Sequence, residues 1–380
     1  MKVSGDWISH PGTQELCAAL VADGYQALFV GGCVRNALMG VEVADIDLAT
    51  DALPETVSNI AEKAGFRSVQ TGIEHGTVTV IAHGRPHEVT TFRRDVATDG
   101  RHAVVSFSLS LAEDAARRDF TMNALYADAS GAVIDPLGGL TDVLAHRVRF
   151  VGDPEHRIRE DYLRILRFFR FHAVYGDPKG GFDADGLAAC AANSAGIGTL
   201  SRERVGGEMR KLLSAADPAP SVASMAQAGV LARVLPGADP RSLAPLIHLE
   251  QDVPVRWRRR LVVLGGEDVA TALRLSRQEA ADHRQLTDAI GATHGPAALG
   301  WRLGPDLAGD SVMARAAMLE APLPPDWLAE IARGAATPLP VTAADFMPGL
   351  TGQALGARLR AVEERWLASD LRLTRADLLG

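Results

Sequence analysis

The sequence predicts an α+β protein, a head built on a mixed sheet followed by a mainly helical remainder. Two observations predict it. Through residues 1–150, short β-like runs at 27–30, 45–49, 77–81 and 87–92 alternate with helical stretches. After about Asp153 the strand signals mostly disappear, and long Ala/Leu/Arg-rich stretches of helical periodicity take over. Gly and Pro clusters at 176–181, 217–220, 236–240 and 322–325 divide that remainder into helical subdomains joined by short turns.

A chain of 380 residues is long enough for two or three domains with well-buried cores. Hydrophobic residues make up 47% and charged residues 23%, ordinary globular values. The opening MKVSGDWISHPG has no apolar targeting core and no apolar run approaches a membrane span, so the expected location is cytoplasmic, with no membrane partner. Cys17, Cys33 and Cys190 lie far apart without ligand spacing, which argues for small core residues over a disulfide framework or a zinc site. His75, His83, His87 and His102 likewise show no ligand spacing.

A net charge of -8 excludes a uniformly basic nucleic-acid coat. A local basic track remains open to Arg93, Arg94 and Arg101, to Arg164, Arg167 and Arg170, to Arg202 and Arg204, and to Arg256, Arg258, Arg259 and Arg260. The alternative for such runs is a solvated face.

The first strand, Leu28-Phe29-Val30, runs into Gly31-Gly32 and then a helix carrying Arg35. Two glycines permit close backbone approach to an anion, the helix start offers unpaired N–H groups, and Arg35 adds a fork suited to phosphate. The run is neither GxGxxG nor a P-loop.

The second strand carries Asp45-Ile46-Asp47. Residues two apart on a strand share a face, roughly 6.5–7 Å between Cα atoms, so Asp45 and Asp47 can share hard divalent cations. Magnesium is the expected ion, suited to in-line phosphoryl displacement. Taken alone, a DxD is an ordinary surface pair. Glu88, in the run 87–92, adds a third acid if its strand neighbours that of Asp47.

Further on, residues 161–170 read as a helix on which Glu160, Asp161, Arg164 and Arg167 fall within roughly 120° of arc. Cytosine and adenine each offer an exocyclic amine beside a ring-nitrogen acceptor. A carboxylate accepts from the one and an arginine donates to the other, so an Asp161/Arg164 pair suits C and A and disfavours U and G. An ordinary i,i+3 surface ion pair is the competing reading.

The segments GGCVRNALMG, ADIDLAT, HGTVTV, HEVTTFRRD, RRDFTMNALYAD, DPLGG, RIREDYLRILRFFRF and SRERVGGEMRKLL, in that order over residues 29–213, resemble the class II tRNA nucleotidyltransferase and poly(A) polymerase family. Residues 346–379, with Gly352, Gly356 and Trp366, resemble its C-terminal end more loosely. The resemblance implies a polymerase-β-like catalytic head at 1–150, a helical neck with a nucleotide-reading helix at 151–215, a helical body at 216–300 and a tRNA-binding helical tail at 301–380. It implies that Gly31, Gly32 and Arg35 bind a triphosphate and that Asp45 and Asp47 bind metal. It also implies that Arg118 and Asp119 contact the nucleotide and its ribose, and that Asp161, Arg164, Arg167 and Arg170 lie on the nucleotide-reading helix. The implied activity is template-independent CCA addition to the tRNA 3′ end from CTP and ATP.

The family usually has Asp after the arginine of its first motif; this chain has Asn36, which puts any ion pair made there in doubt. No HD phosphohydrolase pattern is present, Asp282-His283 being an isolated reversed pair. Poly(A) polymerases of this type tend to carry a basic C-terminal extension, and CC-adding relatives tend to lack a flexible loop that residues 93–106 resemble; both features favour full CCA addition. An inactive head serving as an RNA-binding protein is the alternative of a different class, against which the intact Asp45 and Asp47 argue.

Overall fold

The computed structural model describes residues 1–72, 76–99, 102–347 and 349–380, with the side chains of 70–72, 95–99 and 102–105 excepted. Met1–Leu200 with Ala228–Val230 form one compact unit; Ser201–Gln227 with Leu231–Gly380 form a second.

The first unit is built on a seven-stranded mixed sheet. Its strands are β1 (Leu28–Val30), β2 (Asp47–Thr50), β3 (Arg67–Gly72), β4 (Thr77–Ala82), β5 (Arg85–Thr91), β8 (Tyr126–Ala127) and β9 (Val133–Ile134), in the order β3-β4-β5-β2-β1-β8-β9. Only β2 and β5 run parallel among these pairs. Along β4, Val78, Val80 and Ala82 are buried while the intervening residues are half-buried, the two-residue period of a sheet with one covered face. Around the sheet lie α1 (Asp6–Ser9), α2 (Pro11–Ala22), α3 (Gly32–Leu38), α4 (Pro54–Lys63), α5 (Leu111–Ala116) and α6 (Leu140–Leu144), followed by α7 (Pro154–Glu160), α8 (Leu163–Tyr175) and α9 (Ala184–Ala192).

The strands β6 (Arg93–Asp99) and β7 (His102–Phe107) form a separate antiparallel ribbon. Residues 93–99 and 102–106, in the segment that resembles a flexible loop, lie in these paired strands; Gly100 and Arg101, like His75, lie outside the described residues.

Aromatic packing holds α8 against the end of the head. Phe120 and Phe150 lie 5.0 Å apart, Phe120 and Phe171 4.8 Å, and Phe150 stacks on Phe168 at 5.2 Å. Such pairs add about 0.5–1.5 kcal/mol each beyond area burial. In the DPLGG run, Asp135 accepts from the N–H groups of Gly139 and Leu140 at 2.8 and 3.0 Å, and a Cβ on Gly139 would meet the Thr121 carbonyl oxygen at 2.2 Å. Only glycine fits there.

The second unit is helical. Trp366, on the helix Gly352–Ala368, is buried with Val362, Leu367 and Leu378 and meets Trp301 edge-on at 5.5 Å. The run 256–260, one candidate for a basic track or a solvated face, pairs with carboxylates instead. Arg259 and Arg260 are buried and share Glu250, at 2.6 and 2.7 Å, and Arg259 also bonds Asp310 at 2.9 Å. Arg256 reaches Asp306 at 2.7 Å and Arg258 pairs with Asp282. With their charge met by these carboxylates, the cluster braces the unit. The three cysteines are free and buried, and no helix among the described residues is long and apolar enough to cross a membrane.

Candidate active site

The site grows from the β1–α3 turn. Val30 ends a fully buried strand, and Gly31 turns the chain with φ 67°, donating its N–H to the Leu125 carbonyl at 3.1 Å. A Cβ on Gly31 would lie 3.4 Å from Arg118 Nη1, so the glycine keeps the backbone open beside that arginine. One turn on, Arg35 is buried. Its guanidinium donates to Asn36 Oδ1 through Nε and Nη2 (3.2 and 2.8 Å), to Asn123 Oδ1 and to the Tyr175 hydroxyl at 2.7 Å. Burial pulls the Arg35 pKa below its ordinary range, with Tyr175 and Asp119 opposing the shift. Asn36 thus keeps the acceptor geometry that a carboxylate would have, without the charge.

Parallel pairing of β2 and β5 sets Asp47 directly opposite Glu88, the adjacency that the sequence could not supply. Asp47 is half-buried; its pKa rises to about 6 because burial, Glu88 and Asp45 all disfavour its charge, against Arg118 and Arg35. Asp45 is exposed and precedes β2, so the two aspartates do not share one strand as expected. Among the described residues no group of three His, Cys, Asp or Glu side chains is gathered tightly enough to hold a metal. The donor set is nevertheless hard oxygen, and the burial and carboxylate repulsion that raise Asp47 are what a divalent cation offsets.

Arg118 and Asp119 sit within a charged scaffold. Asp114, buried, accepts from Arg117 at 2.7 Å, from Arg118 at 2.8 Å and from the Tyr126 hydroxyl at 2.6 Å. Burial would raise the Asp114 pKa, but Arg118 and Arg117 bring it down to about 2. Burial would likewise lower Arg118, yet Asp114 and Tyr126 hold it above its ordinary range. Asp119 accepts a forked bond from Arg167, a 2.9 Å bond from Asn123 Nδ2 and another from the Phe120 N–H. Against the opposing effect of burial, Arg167 and Asn123 hold Asp119 at about 2. Asn123 therefore bridges Arg35 to Asp119.

The nucleotide-reading stripe needs correction. Asp161 does not lie on a helix: it separates α7 from α8 with φ -154° and ψ 105°, and its carboxylate accepts from the Leu163 N–H at 3.1 Å. Arg164, in the first turn of α8, pairs with Glu160 and donates to the Arg157 carbonyl at 2.7 Å. Arg170 lies 4.5 Å from the Phe171 ring centroid and adds positive potential at Arg35.

The sequence reading passed over Asp114, Asn123, Tyr126 and Tyr175. The i,i+4 spacing of Asp114 and Arg118 was a usable signal. Asn123 and Tyr126 stand, with Thr121, as the polar residues in the largely apolar run 120–127, another signal. Nothing local marks Tyr175, 140 residues from its partner.

A mixed sheet with paired carboxylates on adjacent strands, beside a glycine turn and a buried arginine, defines a nucleotidyltransferase head. The Poly A polymerase head domain family matches residues 27–149, and the family described as a probable RNA and SrmB-binding site of polymerase A matches 182–241. The Bacillus stearothermophilus CCA-adding enzyme, solved in complex with CTP, superimposes with a TM-score of 0.74 at 30% identity, covering 94% of this chain and 93% of that one. The chain belongs to the class II tRNA nucleotidyltransferase and poly(A) polymerase family. It is 41% identical over 203 residues to the human CCA tRNA nucleotidyltransferase 1, mitochondrial (53% of this chain, 47% of that one). It is 43% identical over 198 residues to the CCA-adding enzyme of Lacticaseibacillus paracasei (52% and 48%). These matches span about half the length of the curated relatives.

Proposed function

We propose that the protein adds CMP and AMP in turn to the 3′ end of tRNA, without a nucleic-acid template, from CTP and ATP and with release of pyrophosphate. The observation that carries this reading is the register of β2 and β5, which sets Asp47 beside Glu88 within the electrostatic reach of Arg35 and Arg118. Asp45 and Asp47 would hold Mg2+, with Glu88 as the third acid; a bound divalent cation supplies charge neutralisation for the attacking hydroxyl and the leaving pyrophosphate.

The chain's own groups do the rest. The Gly31-Gly32 turn and Arg35 bind the triphosphate, while Arg118 and Asp119 position the ribose end. Arg167 keeps Asp119 ionised and aimed. Asp161 and Arg164 read the base edge: the carboxylate accepts from the exocyclic amine shared by C and A, and the guanidinium donates to the adjacent ring nitrogen. Arg170 contributes positive potential along α8.

Pyrophosphate release measured with each of the four nucleotides on a tRNA lacking CCA tests the reading. CTP is expected to be used and UTP and GTP rejected. In Asp161→Ala, kcat/KM for CTP relative to UTP is expected to fall roughly tenfold to a hundredfold, because a buried polar group left unpaired by the wrong base costs about 1–3 kcal/mol. An unchanged ratio removes Asp161 from base selection. Poly(A) addition is the second reading, favoured by the description of the matched head family.

A further inference from the structure

We infer that Tyr175 is a positioning residue that holds Arg35 in its triphosphate-binding orientation, supplying the restraint that Asn36 cannot. The inference rests on the reading of Arg35 as a triphosphate ligand. Among the described residues, the hydrogen-bond acceptors that Arg35 meets are neutral: Asn36 Oδ1, Asn123 Oδ1 and the Tyr175 hydroxyl. Its charge is therefore not spent on a bonded carboxylate, and an arriving phosphate need not displace one. Neutral acceptors make charge-assisted bonds to a guanidinium but lack the ion-pair attraction and bidentate geometry that a carboxylate adds. The orientation then depends on a further restraint.

Tyr175 provides two. Its hydroxyl accepts from Arg35 Nη2 at 2.7 Å, and its ring centroid lies 3.9 Å from Arg35 Cζ, closer than the Phe171 ring at 5.3 Å. A planar cation against a ring face gains electrostatic attraction and loses rotational freedom. Asp119 attracts and Arg170 repels the same guanidinium, but neither bonds it in a fixed plane. Tyr175 is the last residue of α8, the helix that carries Arg164 and Arg167, and Phe168, Phe169 and Phe171 lock that helix in place. The base-reading helix thereby also sets the phosphate-binding arginine.

The test is steady-state kinetics of the full chain with CTP on a tRNA lacking CCA. Tyr175→Leu is expected to raise the CTP KM roughly tenfold with kcat within about threefold, and Tyr175→Phe, which keeps the ring, to raise it roughly threefold. Asn36→Asp supplies a carboxylate to the same guanidinium, so Tyr175→Leu placed in the Asn36→Asp background is expected to change KM by less than about threefold. A merely structural tyrosine would lower kcat or the active fraction, and Asn36→Asp would not rescue it. An unchanged KM in Tyr175→Leu, or an equal rise in both backgrounds, overturns the inference. If Tyr175→Leu fails to fold, Tyr175→Phe with and without Asn36→Asp decides by the same comparison. Arg35→Ala separates the two layers: an unchanged CTP KM there refutes the triphosphate reading itself, whereas a raised KM with a silent Tyr175→Leu refutes only the role of Tyr175.

Discussion

Replacing Asp119 with asparagine probes the link between the head and α8. The substitution keeps the size of the side chain and removes the charge that Arg167 pairs with. Asp119 is nearly buried, with a side chain 10% exposed, and its pKa of about 2 against the ordinary 3.8 corresponds to about 2 kcal/mol of stabilisation at neutral pH. The folded-state pKa is depressed, so this contribution is fully present above about pH 5 and is lost as the pH falls through 3.8 toward 2. Asp119→Asn is therefore expected to cost about 2–3 kcal/mol at pH 7, where Arg167 also loses a carboxylate partner, and visibly less at pH 3. Hydrogen exchange read on peptides spanning Phe120–Tyr126 and α8 measures this locally, without assuming that both units unfold together. A variant as protected as the wild type at pH 7, or a loss of the same size at pH 3, would refute the reasoning.

Further outcomes follow from the same geometry. Asp47→Ala is expected to abolish nucleotide addition while filter-binding affinity for tRNA persists; full activity in magnesium would sink the metal assignment. Shortening the ribbon 93–106 is expected to spare C addition and impair the final A, as sized on a sequencing gel, whereas an equal fall in both steps would make the ribbon purely structural. Glu250→Ala leaves Arg259 and Arg260 buried without their shared carboxylate, and is expected to cost about 3–5 kcal/mol in urea denaturation of the second unit. A denaturation midpoint unchanged from the wild type would contradict that bracing role.

How much of this was legible in the sequence depended on the range of each interaction. The β1–Gly31–α3 turn and the runs that became β4 and β5 were readable, because two-residue periodicity and glycine punctuation are local signals. Glu88 could only be nominated; the parallel pairing with β2 that sets it beside Asp47 is a property of strand order. Asp161 was misplaced because apolar periodicity runs through 160–170, whereas its carboxylate bonds the N–H two residues on and so opens a helix instead of continuing one. Arg259 and Arg260 resembled a solvated basic run until the fold brought Glu250 and Asp310 to them. The β6–β7 pairing was hidden for a related reason: charged residues and Gly100 gave 93–106 the composition of a loop.

The most direct test of the account is to incubate the protein with tRNAs ending before CCA, after the first C and after CC, with CTP and ATP and no template, and to size the products. Additions of three, two and one nucleotides, respectively, are expected, each stopping at CCA. A lengthening adenylate tail, a halt after CC, or no addition to any of the three tRNAs would contradict it.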